Sequence, residues 1–197
     1  MAPTPEDARV VRTRNDVLHT ALTVLVDEGR DAVTHLRVAE AAGYSRATVY
    51  KHWPTRMHLR RDAFAQLEDG PHHVPTGDLR SDLVAEVTQF RTDMQQDRLD
   101  RALAVLADLA ASSPELAEVR DRLVADGERV LRQVLAARPD DPEREAALLM
   151  LCGAILYSAL LHGRPPGDDV IGASVDIVLR GLSASPAPLP AVRGGPA

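Results

Sequence analysis

Aromatic residues make up only 3% of this 197-residue chain, cysteine occurs once and lysine once. With so few rings, a stacking platform for single-stranded nucleic acid is excluded. A lone Cys152 forms no internal disulfide framework, so a reducing cytosol is the expected compartment. The other 22 basic residues are arginines, which reads as genomic codon bias rather than function. No apolar segment follows the N-terminal arginines, so no secretory signal is expected. The longest apolar run, 146–161, falls short of the roughly 20 residues a bilayer span needs, and no membrane partner is expected. Alternating β-branched and aromatic runs are missing, as are a phosphate-cradling glycine loop, a clustered carboxylate pair and an activated nucleophile. The remaining enzymatic option, acid–base chemistry by His72, His73 or His162, therefore has no supporting constellation.

What is present is helical periodicity and an uneven charge. At 45% hydrophobic, the chain has enough apolar side chains for a real core. The first 66 residues carry 10 Lys+Arg against 8 Asp+Glu, while the rest carry 13 against 21, so a polyanion would meet the first third. Apolar residues recur at spacings of three and four in about nine stretches: 17–25, 36–42, 46–52, 56–68, 79–94, 99–109, 114–137, 146–161 and 169–182. The prediction is an all-α chain with an N-terminal domain over 1–69, a C-terminal helical bundle over 70–184 and a disordered Pro/Ala/Gly-rich tail over 185–197.

The segment from Thr34 to Trp53 carries the functional signal. Thr34 and Ser45 are N-caps, Gly43 ends the first of two short helices, and Val38, Ala39 and Val49 lock them together as a helix-turn-helix. The outer face of the second helix is rich in donors and has no acid. Arg46, Ala47, Thr48 and Lys51 are expected to read base edges in the major groove. Tyr50 and His52 are assigned to phosphates, with Ser45 at the helix start and Thr34, His35, Arg37 and Arg56 flanking the groove. Trp53 is expected in the core.

On Ala21-Leu22, Glu28-Gly29, Thr34, Val38-Ala39, Ala42-Gly43, Ser45, Thr48-Val49-Tyr50, His52-Trp53-Pro54, Arg56 and Leu59, the chain resembles the DNA-binding domain of TetR/AcrR-type transcriptional regulators. Tyr44 departs from the pattern, standing where a smaller aliphatic is usual, and Thr55-Arg56 replaces a polar-Lys pair. The resemblance implies a homodimeric repressor that releases operator DNA when a small-molecule effector enters its C-terminal domain. The run 146–161, apolar all round, must be covered on every side, so it is expected at a two-fold dimer interface. Leu149, Gly153, Leu156 and Leu160 form the expected seam, joined by Ser174, Ile177 and Val178 of the last helix. Phe90, Met94, Leu106, Leu109 and Val119 are core by default and are also expected to line the effector pocket. No cofactor or metal is called for: adjacent His72 and His73 point apart on most backbones and read as a loop pair without a ligand role. The rival reading is a ligand-independent regulator whose C-terminal helices only dimerise or bind a protein.

Overall fold

The computed structural model describes residues 5–68, 70–96, 98–136 and 141–183. Among them are ten α-helices, one 3-10 turn and no strand. In chain order the helices are α1 (Pro5–Glu28), α2 (His35–Ala42), α3 (Arg46–His52), α4 (Arg56–Ala65), α5 (Leu79–Gln96), α6 (Leu99–Ala110), α7 (Pro114–Gly127), α8 (Arg129–Leu135), α9 (Asp141–His162) and α10 (Asp168–Ser183). The count exceeds the expected nine because the stretch 114–137 breaks after Gly127 into α7 and α8. The tail over 185–197 lies outside the described residues.

Two hydrophobic clusters organise these helices. The first joins α1 to α4 with α6 and α7, through Leu25, Val38, Val49, Leu59, Phe64, Leu106, Leu116 and Val119 among others. The second gathers α5, α8, α9 and α10, through Leu83, Val87, Leu135, Leu148, Leu151, Ile155, Ile171 and Val175. The segment over 70–78 divides the backbone, but the N-terminal helices share their core with α6 and α7. Leu103 of α6 packs against both clusters. Arg30 with Asp108, Arg98 with Asp27, and Arg122 with Glu68 add surface ion pairs across the same division.

The five expected pocket residues divide between the two clusters. Leu106, Leu109 and Val119 are buried in the first cluster, while Met94, with Phe90 beside it, belongs to the second. The stripes read correctly as core, but periodicity carries no information about which cores are contiguous. A cleft of about 320 Å³ opens between α8 and α9, lined by Arg132, Leu135, Arg144, Glu145 and Leu148.

On α9, Ala147, Leu148, Leu151, Ile155 and Ala159 are buried. Leu149, Met150, Tyr157, Leu160 and Leu161 are exposed, and Gly153 and Leu156 are half-buried. By length and a mean hydropathy of 1.6, Pro142–His162 is apolar enough to cross a membrane, yet one whole side of it serves this bundle. On α10, Val170 and Ile177 are exposed and Ser174 is half-buried, its hydroxyl donating to the Val170 carbonyl. Val178 departs from the expected interface: with Ile171 and Val175 it forms the inward stripe of α10, at spacings of four and three. Cys152 is largely buried, and burial pushes its thiol up to about 12, so it is no reactive sensor at neutral pH.

Because the first cluster runs through the loop division, Leu106→Ala should lower stability by about 2–5 kcal/mol while leaving a single cooperative transition in urea. Two separate transitions would show that the N-terminal helices melt independently of α6 and α7.

Candidate nucleic-acid interface

A helix of seven residues is too short to be stable in water on its own, so α3 depends on its neighbours. Thr34 caps α2 by accepting the Arg37 N–H at 3.1 Å, and Ser45 caps α3 by accepting the Thr48 N–H at 3.0 Å. Between them Gly43 is left-handed at φ 72°, where a side chain would be strained. Its N–H reaches the Glu40 carbonyl and that of Tyr44 reaches Ala39, closing the first helix with a Schellman pair of bonds. Val38, Ala39, Val49 and Trp53 are buried, in agreement with the sequence analysis. Tyr44, the departure in the turn, donates its hydroxyl to Asp16 of α1 at 2.7 Å.

The buried face leaves Arg46, Ala47, Tyr50 and Lys51 exposed together on the opposite side of α3. They are spaced by three and four residues and therefore line one face. The Arg46 guanidinium lies over the Tyr50 ring, 5.2 Å from its centroid, and donates to the Tyr50 hydroxyl at 3.2 Å. Lys51 makes no ion pair among the described residues. Thr48 is half-buried with its hydroxyl 2.8 Å from that of Ser45, so these two side chains chiefly shape the helix start.

His35 corrects the sequence reading. Expected beside the groove, it is instead only 4% exposed. Its Nε2 donates to the Trp53 carbonyl at 2.7 Å, and its ring stacks on Tyr50 at 3.9 Å and 6°. The residue ties the start of α2 to the end of α3 and supports Tyr50 from behind. At the first position of a helix, the crossing of α2 over α3 decides which way the side chain points, and sequence spacing does not report that crossing. Arg37 stays exposed, but its guanidinium forms a two-pronged pair with Glu28, at 2.9 and 2.5 Å. This pair holds the Glu28 carboxyl below its usual range.

Beyond α3, Trp53 donates its indole N–H to Asp62 at 3.0 Å, and Arg14 of α1 lies over the indole ring at 5.1 Å. His52 packs against the same tryptophan. Burial, then the nearby charges of Arg14 and Lys51, hold its imidazole below the ordinary histidine value. Thr55 caps α4, which places exposed Arg56 at the first position of that helix.

Helix starts separate this region from the rest of the chain. α5, α6, α7 and α10 each carry an acid in the first turn, as their dipoles favour. α8 carries none but follows Glu128 directly. α2, α3 and α4 also have no acid in the first turn, and α3 and α4 begin on arginines. Three helix starts that lack an internal anion suit an anion supplied from outside.

The sequence reading also missed how far α1 reaches. It begins at Pro5, about three turns before the first buried residue, Val17. Its C-terminal end meets α6 through Asp27 and Arg98, while Arg14 and Asp16 lie against Trp53 and Tyr44. The turns before residue 14 lie at the opposite end of α1 from its contact with α6. They carry Arg9 and Arg12, both exposed and without an ion pair among the described residues. The signal for these turns was the spacing of the arginines rather than any apolar stripe.

Residues 17–63 match the family described as bacterial regulatory proteins, tetR family, and residues 74–178 match the tetracyclin repressor-like C-terminal domain. The chain belongs to the tetR family. An uncharacterized HTH-type transcriptional regulator of Mycobacterium tuberculosis is 29% identical over 182 residues, covering 86% of this chain and 88% of its own. A second regulator of that organism is 32% identical over 140 residues, 69% of each chain. Among solved structures, the flavonoid-responsive regulator FrrA superposes with a TM-score of 0.67 at 21% identity, covering 87% of this chain and 95% of its own. The protein is thus a helix-turn-helix transcriptional regulator, in a family that binds operator DNA and forms dimers rather than catalysing reactions.

If His35 acts by holding α3, His35→Phe should keep the ring stack on Tyr50 and lose the bond to Trp53. The expected result is a stability loss of about 1 kcal/mol together with weaker operator binding, although the side chain is buried. Unchanged operator affinity in a folded variant would remove His35 from the orientation of α3.

Proposed function

We propose that the chain is a homodimeric operator-binding repressor of the cytoplasm whose DNA affinity falls when a small, largely apolar effector enters its C-terminal half. The observation that carries the DNA reading is the acid-free face of Arg46, Ala47, Tyr50 and Lys51 on a helix whose other face is buried. In this reading Arg46 and Lys51 reach guanine acceptors and Ala47 meets a thymine methyl. Tyr50, His52, Thr34, Ser45, Thr48, Arg37 and Arg56 hold phosphates, Arg37 after leaving Glu28. Arg9 and Arg12 add phosphate contacts from the projecting turns of α1.

Seven residues of helix read only a few base pairs, so a two-fold dimer on a palindrome supplies the rest of the specificity. The exposed apolar residues of α9 and α10 suit that dimer: Leu149, Leu160 and Ile177 from the sequence reading, with Met150, Tyr157 and Leu161 added. Gly153, Leu156 and Ser174 sit at its margin, half-buried.

The effector reading is supported by the family and by the flavonoid response named for FrrA, a protein of the same fold. The rival reading is a regulator without a ligand, whose C-terminal helices only dimerise or bind a protein. Thermal shifts across a small-molecule library separate the two: several stabilising compounds of related shape support the sensor, and none supports the scaffold.

Selection from a random DNA pool tests the reader itself. A palindrome is expected, and no motif from folded dimer would count against α3 as a reader. On the recovered site, Arg46→Ala should relax preference at one base position, with a loss of about 1–3 kcal/mol. Replacing Arg9 and Arg12 with Gln should preserve the motif and reduce the salt dependence of log K by about 0.9 for each phosphate no longer neutralised. An unchanged salt slope would take α1 out of the interface.

For the dimer face, Leu160→Asp is the cleaner probe, since Leu156 also packs against its own protomer. A monomer with weak operator binding is expected from sedimentation and titration; a persistent dimer would place the interface elsewhere.

A further inference from the structure

The loop after α4 leads to α5 and contains two histidines that the DNA reading does not use. Asp82 and Glu86 of α5 are nonetheless almost wholly buried beneath it, at 1% and 3% exposure. Asp82 accepts hydrogen bonds from the Thr76 and Gly77 N–H groups, from the Thr76 hydroxyl and from His73 Nε2, all within 2.9 Å. Those bonds, the Thr76 N–H first, hold its carboxyl far below the usual range. Glu86 accepts from the His73 N–H at 2.9 Å. The loop is a strap fastened along α5.

His72 extends that strap to a second helix. Its Nδ1 lies 2.6 Å from Glu86 Oε1, and its Nε2 lies 3.3 Å from Asp126 Oδ2 of α7. A carboxylate accepts and does not donate, so a ring bonded to carboxylates through both nitrogens carries both protons. Burial works against that charge, but the bonds to Glu86 and Asp126 outweigh it and hold His72 above the ordinary histidine value.

The surrounding charges come from every element packed there. Arg129 of α8 donates to Asp126 at 3.3 Å, while Glu128 beside it is engaged by Arg132. Cys152 on α9 feels the charges of Glu86 and Glu128 but stays a neutral thiol. Without its proton, His72 has one N–H for two carboxylates, and a ring lone pair must face one of them.

The position of this contact gives it consequence. α5 belongs to the cluster that carries the α9/α10 face, and α7 to the cluster that holds the DNA-binding helices. His72 thus bolts one cluster to the other through charge-assisted bonds where their apolar packing is divided. We propose that His72 is a positioning residue for the DNA-binding helices, a proton-operated clasp that is closed in the operator-binding state and opens when the imidazolium is neutralised. The assignment of the closed state to DNA binding rests on the repressor reading, in which the ligand-free protein holds the operator. A group whose value is raised in the folded state stabilises below its unfolded value and loses that contribution as pH rises through the folded one. The clasp therefore fails on the alkaline side.

The test uses the full-length dimer on its selected operator, at constant ionic strength from pH 6 to 9. Wild-type affinity should fall by about fivefold across the titration of His72, a modest allosteric coupling. His72→Gln, which donates to one carboxylate only and does not titrate, should bind more weakly at pH 6 and lose that dependence. His52→Gln should keep it. In parallel, histidine ring resonances, assigned through His72→Gln, should show His72 titrating above about 6.5. The proposal is overturned by a titration at or below that value, by full pH dependence in His72→Gln, by none in the wild type, or by its loss in His52→Gln. Should no DNA bind specifically at any pH while the ring titrates high, the operator reading has failed and the clasp's link to DNA binding falls with it, whereas the charged bridge itself stands.

Discussion

The placement of α3 is the constraint on which the rest of the structure depends. Seven residues close too few hydrogen bonds to offset the entropy of ordering them. The helix therefore exists because Val49 and Trp53 are buried behind it and because its two ends are tied down. Ser45 satisfies the first turn, and the Trp53 carbonyl at the other end receives the His35 N–H. The exposed face then inherits its direction from the buried one. Tyr50 is held between His35 and Arg46, so the arginine proposed for the groove is already supported by a ring before any DNA arrives. Ordering side chains in advance lowers the entropy lost on binding.

That placement is only as firm as the body behind it. The helices that hold α3 share their apolar cluster with α6 and α7, so a displacement of α7 is felt by α4 and α1. The apolar face proposed for the dimer sits on the other cluster. In the proposed reading, a ligand or a proton acts on the division between the clusters and so changes the spacing of two DNA-binding units. Leu103 of α6 and the strap through His72 cross it. Of the two, the half-buried histidine bridge, built from charged groups, is the more sensitive to its surroundings.

Legibility in the sequence followed the physics of each feature. The caps Thr34 and Ser45, the left-handed Gly43 and the buried Val38, Ala39, Val49 and Trp53 were all readable, because each is imposed by local backbone geometry or helical period. The family motif lies in this same stretch. Features set by helix crossing were not readable. His35 turned inward, Val178 took the inner of two neighbouring apolar stripes, and the five proposed pocket residues fell into different clusters. The first turns of α1 escaped for another reason: residues 9–12 are all exposed, and apolar periodicity detects only faces that are buried. The strap was hidden because two adjacent histidines in a loop reveal nothing until distant Glu86 and Asp126 are brought to them.

Geometry explains why a small change at the division matters. A straight helix of 24 residues spans about 36 Å, and α1 runs from its contact with α6 past its contacts with Tyr44 and Trp53 to its start at Pro5. A rotation of about 5° at one end of such a lever swings the other by roughly 3 Å. Contacts to base edges tolerate a few tenths of an ångström before they weaken, so that swing, made in both protomers of a dimer, displaces two recognition helices from a fixed half-site spacing. The free energy needed is only that of exchanging one arrangement of packed helices for another, and couplings between such sites are typically about 1–3 kcal/mol. Whatever loosens the division must in turn bind more weakly when DNA holds the helices in place, because the coupling acts equally in both directions.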